Sequence, residues 1–288
     1  MKIDQSYHGV AQQRYLSSTA IPFQILEKSP PDSREYELLK TIYGDKQDDL
    51  EEWGLVSWKF EHKTHIKLEH FYGYAKTMFA SGADCVFINP MIGNEALFLS
   101  TWEQWVWAHD FNRVMVIFDF LNKLNIGDLE EPASSRHFAF CNYFIANRRF
   151  YDQYFKYIDP IIAALEREAD HGSTVGFIYK ESAQYQRDES LTMRPFIVER
   201  LFSSFILNNR YLNYAPYYFS IEHFHNKFGI NIGNSLFTLL QLKNNAIHSG
   251  SRKLFIQWDL KRKLILKDGD LMHTIAHLDD PFEMPLMN

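Results

Sequence analysis

The chain has 288 residues, of which 46% are apolar and 16% aromatic, and a formal net charge of −6. That length admits one large domain or two small ones and is ample for a buried core. Thirty basic residues against thirty-six acidic ones argue against a nucleic-acid binder that relies on a broad basic face. Cys85 and Cys141 both lie in apolar runs, with no disulfide framework or zinc spacing. No apolar run reaches the ~20 residues needed to cross a bilayer, and the first residues contain no apolar leader. A cytoplasmic protein without a transmembrane segment is expected.

In chain order, residues 1–19 are polar and read as an arm or first loop. Ile21 to Leu26 reads as a short strand and Arg34 to Tyr43 as a helix. The acidic segment from Gly44 to Trp53, with Asp45, Asp48 and Asp49, reads as a solvated loop without calcium-loop spacing. Trp53 to Phe60 is an aromatic-rich strand, after which Thr64 is a candidate cap for a helix ending near Gly82. Ala83 to Asn89 follows as a strand. Asn94 is then placed as the cap of a helix running on to Phe111, with a second helix from Arg113 to Leu124. Phe138 to Ala146 is a continuous apolar strand that leads into a helix from Arg149 to Ile158, and Pro160 starts the next one. Residues 172–192 are mixed and carry no clear pattern. Phe196 to Leu207 is apolar almost all round and reads as a buried helix carrying Glu199 and Arg200. Tyr211 to Phe219 reads as an edge strand and Ser235 to Ala246 as an amphipathic helix, while for Lys253 to Lys267 helix and strand readings compete. One domain is favoured, with a C-terminal extension from about residue 247 to 288.

The organising stretch is ADCVFINP, Ala83 to Pro90. Val86, Phe87 and Ile88 show no polar alternation, the pattern of a strand covered on both faces. Pro90 ends its pairing, and ligands in open α/β sheets sit beyond such strand ends, which makes Asn89 a candidate pocket residue. The alternative is a core strand with a polar end.

No phosphate-binding glycine loop, GxGxxG turn, GxSxG elbow or HExxH helix occurs. Candidate chemistry therefore falls on strand ends and on one helix. Ser57, Lys59 and Lys63 offer a hydroxyl and two cations for a diphosphate, against a reading as solvated flanks. Asn142, alone in an apolar strand, needs a partner, either protein backbone or a ligand hydroxyl. Glu199 and Arg200 need partners or a cavity; Glu199 is a candidate general base, against a structural ion pair. His223, His225 and His248 read as surface histidines, since no third metal ligand accompanies the first two.

The order of these motifs resembles the GT-A type of nucleotide-sugar glycosyltransferase. The strings WGLVSWKFEHKT, ADCVFINP, TWEQ, CNYFIANRRF and FIVERLFS, between residues 53 and 207, are also similar to a group of bacterial proteins of surface-polysaccharide and lipopolysaccharide assembly. The resemblance implies an α/β single domain with a mostly parallel, Rossmann-type central sheet flanked by helices. It implies a nucleotide-sugar donor, a saccharide acceptor, other polysaccharide-assembly enzymes as partners, and a location in the cytoplasm or at the inner face of a membrane. Glu199 would be the catalytic base. Asn89, Ser57, Lys59 and Lys63 would face the donor, Asn142, Tyr143 and Arg200 the acceptor, and Trp53, Trp58 and Tyr143 would offer stacking rings. In the family a DxD motif holds Mg²⁺ or Mn²⁺ against the donor diphosphate, whereas this chain has Ile88-Asn89-Pro90. Asp84 lies ~17 Å away along an extended strand and cannot replace the missing ligand. The departure leaves two expectations: a metal-independent transferase, or a non-catalytic module that binds saccharide or a partner enzyme.

Overall fold

The computed structural model describes residues 1–25, 35–46, 52–183 and 192–280. Six strands, β1 (Lys2–Tyr7), β2 (Ile21–Gln24), β3 (Glu52–Ser57), β4 (Cys85–Phe87), β5 (Phe144–Asn147) and β6 (Tyr214–Pro216), form one sheet in the order β2-β1-β3-β5-β4-β6. The sheet is mixed rather than mostly parallel. β5 runs antiparallel to both of its neighbours, β3 and β4, while the β1–β2, β1–β3 and β4–β6 pairs are parallel.

Side-chain alternation along the strands builds two cores, one on each face. Trp53, Leu55, Cys85, Phe87, Phe144 and Ala146 point to the first. There they meet α1 (Glu35–Lys46), α5 (Thr101–Ala108), α6 (Phe111–Lys123), α7 (Arg148–Asp170), α8 (Thr174–Lys180) and α9 (Arg194–Asn208). Ile3, Val56, Val86 and Ile145 point to the second, against α2 (Phe60–Thr64), α3 (Leu68–Ala80), α4 (Ile92–Leu97), α10 (Ile221–Ser249), α11 (Arg252–Leu266) and α12 (Gly269–Asp279). The double burial expected of β4 follows directly. The high aromatic content serves this interior: Phe144 stacks on Phe202 at 4.8 Å, and Trp53 packs on Tyr151 at 5.4 Å.

Several sequence expectations need correction. The polar start is an inner strand, β1, whose Asp4, Gln5 and Ser6 are buried. It is stable there because its polar groups are matched: Asp4 accepts from the Trp53 indole at 2.5 Å and Gln5 from the Ser17 backbone N–H at 2.8 Å. Thr64 does not open α3; its hydroxyl donates to Phe60 O and closes α2. The long helix expected from Asn94 breaks at Phe98, and α5 restarts from a Ser100 cap. The strand expected from Phe138 is regular only from Phe144. Pro160 lies inside the continuous α7; the Lys156 carbonyl it leaves without an N–H is on the exposed face, where water can satisfy it. The C-terminal segment is not an appendage but forms α11 and α12 of the second core. Asp48 and Asp49 of the acidic loop lie outside the described residues, as does most of the stretch from 181 to 192.

Candidate functional site

A cleft of about 590 Å³ opens where β4 ends and β5 begins. Its walls come from α9, from α5 and α6, and from the turn before β5, with Lys63 of α2 and Asp280 after α12 on the far side.

The turn is the unusual part. Cys141 and Asn142 stand at φ 66° and 49°, the left-handed region in which a Cys is rarely held. Glu199, the one carboxylate on α9, accepts a hydrogen bond from the Cys141 backbone N–H. Its second carboxylate oxygen has no hydrogen bond or ion pair among the described residues. Asn142 is 5% exposed, and its side-chain carbonyl also lacks a partner. An unsatisfied amide oxygen there costs about 1–3 kcal/mol unless a ligand or water donates to it. The Trp105 indole N–H, in the same wall, is likewise buried without an acceptor.

Among the described residues, Arg200 makes no ion pair. Its guanidinium donates to the Thr101 carbonyl at 3.0 Å, the Phe196 carbonyl at 2.7 Å and the Gln104 side chain at 2.5 Å. It also lies 5.3 Å from the Phe140 ring centroid and 5.7 Å from that of Trp105. Burial pulls its pKa down to about 10, with the Glu199 carboxylate opposing the fall. Other cations of the cleft are neutralised by carboxylates. Arg113 meets Glu181 at 2.8 Å, Arg194 meets Glu37 and Glu166 at 2.9 Å, and Lys63 meets Asp280 at 2.9 Å. Burial opposes the Lys63 charge, yet the Asp280 carboxylate keeps its pKa well above the ordinary value. His109 sits at the rim, between Trp105 and Phe196. Burial, with the Arg200 charge nearby, lowers its pKa to about 4, so it is neutral at neutral pH.

The structure thus gathers Glu199, Asn142, Arg200 and Lys63 into one cleft and leaves the other sequence candidates outside it. Asn89 is buried with its amide committed: it donates to Glu95 at 2.8 Å and accepts from the Met91 N–H at 3.1 Å and the Phe140 N–H at 3.3 Å. Ser57 and Tyr143 bond each other at 2.5 Å, and Tyr143 packs on Phe60. Lys59 lies 5.4 Å from the Trp58 ring, which packs on Tyr15 at the ends of β1 and β3, and Trp53 is wholly buried. Asp84 sits at the opposite end of β4, accepting from the Asn213 N–H and pairing with Arg149 at 3.3 Å. His223 and His225 belong to the first turns of α10, where His223 joins a capping box with Ser220 and His225 bonds Asn234. His248 bonds the Asn244 carbonyl.

Residues that sequence reading passed over include Trp105, His109, Arg113, Arg194 and Asp280. They come from segments that carry no local signal of a site. Trp105 alone had a cue, as part of TWEQW next to an apolar helix. Among the described residues, no group of three or more His, Cys, Asp or Glu side chains could share a metal ion, and no helix is long and apolar enough to cross a membrane. Comparison with protein-family models, curated proteins and solved structures gives no match.

Proposed function

We propose that the protein is a glycosyltransferase that moves a sugar from a nucleotide-sugar donor to a saccharide hydroxyl bound in this cleft, in bacterial polysaccharide or lipopolysaccharide assembly. One observation carries the reading. The carboxylate of Glu199, with an oxygen left over, stands beside the strained turn that holds the unpartnered carbonyl of Asn142. A hydroxyl donating to Asn142 would lie against a base held in place by the Cys141 N–H. Ring faces at Trp105, Phe140 and Phe196, together with the mutual neutralisation of Arg113, Arg194 and Lys63 by carboxylates, suit an uncharged, hydroxyl-rich ligand.

In this reading Glu199 takes the acceptor proton as the hydroxyl oxygen attacks the sugar carbon, and the diphosphate leaves with the bonding electrons. Lys63 is the candidate to meet that charge, once Asp280 yields it. Among the described residues, the carboxylates around the cleft do not gather three to one metal ion. The rival, a non-catalytic saccharide- or partner-binding module, is favoured by the same ion pairs, since among the described residues they neutralise every Lys and Arg of the cleft except Arg200, which is held by carbonyl oxygens.

Glu199→Gln tests the assignment, because the glutamine carbonyl still accepts from the Cys141 N–H while basicity is lost. Transfer, followed as nucleotide diphosphate released from a panel of nucleotide sugars with saccharide acceptors, should fall about 10²–10⁴-fold. Full activity in this variant would remove Glu199 from the chemistry. For the rival, thermal stability with saccharides and with nucleotide sugars is decisive. A ligand at about a hundred times its dissociation constant adds ~2.7 kcal/mol, and a shift with saccharides alone would support a binding module.

A further inference from the structure

The outer face of α11 carries an apolar stripe. Ile256, Leu260 and Leu264 are 47%, 61% and 72% exposed. Spaced four residues apart, they form one stripe along the helix. The opposite face of α11 is fixed by Trp258 and Arg262, which turn inward to donate to the carbonyls of Ala96 and Leu97. The helix is therefore anchored and its apolar stripe is held outward.

Exposed cations border that stripe: Arg252, Lys253, Lys261, Lys263 and Lys267. Asp259 is the one carboxylate on the helix; it is mostly buried and already bound by Arg262 at 2.9 Å and Lys263 at 2.5 Å. Asp268 and Asp270 follow at the start of α12, where Asp268 caps that helix. Arg252 and Lys253 occupy the first turn of α11, which has no acidic residue. Cations there oppose the helix dipole, so they weaken the helix rather than support it. This local concentration of positive charge stands out in a chain of net charge −6.

We infer that α11 is a docking face for an anionic lipid surface, with Ile256, Leu260 and Leu264 entering the headgroup boundary and the surrounding Lys and Arg side chains meeting lipid phosphates. Apolar residues on one side of a helix with cations beside them is the arrangement that lies in a membrane plane. The inference is independent of the chemistry assigned to the cleft.

Co-sedimentation of the full chain with vesicles of phosphatidylcholine, with and without phosphatidylglycerol, tests it. Partition to the anionic vesicles should exceed that to neutral ones by about tenfold or more and weaken as salt is raised. Leu260→Glu with Leu264→Glu, and separately Lys253→Gln with Lys261→Gln, should each reduce it several-fold. Both pairs are exposed, so the circular dichroism spectrum and melting curve should stay as in the parent. Failure to bind anionic vesicles, equal binding to both kinds, or binding that neither pair alters would overturn the inference. So would a dimer seen by light scattering that the leucine variant dissolves, because the face would then belong to a second copy of the chain.

Discussion

At the scale of single residues, the cleft is defined by groups whose surroundings deny them their usual state. Cys141 and Asn142 hold left-handed backbone, Asn142 and Trp105 each leave a polar atom unmatched, and His109 is kept neutral. The last has a consequence for stability. Unfolded, His109 takes up a proton near 6.5, whereas folded it does so only near 4. Between those values the unfolded chain binds more protons, so stability falls as pH drops through that window and is unaffected above it. His137, half-buried and also lowered to about 4, acts in the same direction. Replacing His109 by Gln should make the dependence of the urea midpoint on pH shallower between about 6.5 and 4. An unchanged slope would show that His109 is solvated in the folded chain. Glu199 and Asn142 were legible in the sequence for one shared reason: each is a polar residue in an otherwise apolar run, and such residues need an answer. Asn89 posed the same question, but its answer is internal, since Glu95, Met91 and the Phe140 backbone take up its amide. Composition could not separate these cases, because it does not say which neighbour arrives.

At the scale of elements, α4 shows how the end of β4 is held. It is a six-residue helix, buried throughout, and a buried helix end needs partners for its spare N–H and C=O groups. Asp279 of α12 accepts from the N–H groups of Gly93 and Asn94 at 3.1 and 2.6 Å. Lys243 of α10 donates to the carbonyls of Glu95 and Phe98, while Trp258 and Arg262 take those of Ala96 and Leu97. Gly93 has no room for a side chain, because an added Cβ would press on Ile275 and Asp279. Asp279 also lies 3.4 Å from the Lys227 ammonium, both groups being almost fully buried. Asp279→Ala would therefore strip the cap and leave a buried cation without its carboxylate, a loss of about 3–5 kcal/mol. Asp279→Asn, which can still accept from the backbone, should lose less, and urea unfolding of the two variants measures the difference. Near-equal midpoints for the two variants would place the value of Asp279 in its charge rather than in its hydrogen bonds. Strand β4 itself was readable from its unbroken apolar run. The inner strand β1 was not, because its buried Asp4 and Gln5 look like surface residues until Trp53 and Ser17 are brought to them.

At the scale of the whole molecule, a mixed sheet with a helical layer on each face accounts for both cores, and the second of them depends on the last thirty described residues. A chain ending at Gly250 would lack α11 and α12, and so Trp258, Arg262 and Asp279. It should lose the sharp, cooperative unfolding transition of the full chain, as seen by tryptophan fluorescence in urea. A truncated chain that kept a sharp transition near the parent midpoint would make those helices a separate unit. Sequence reading did not join α11 and α12 to the body because, besides their contacts with the neighbouring α10, they pack on α4, far back along the chain.

The caps of α4 also set an order in time. Gly93 and Asp279 are separated by 186 residues, so the strand end that opens the cleft cannot be completed until nearly all of the described chain has been synthesised. Long-range closures of this kind slow folding and leave incomplete intermediates exposed. During translation, β4 and the half-built pocket beside it would wait for α12 as an unfinished edge. A chain stalled before that point would lack Asp280, the carboxylate partner of Lys63 in the cleft, as well as the cap.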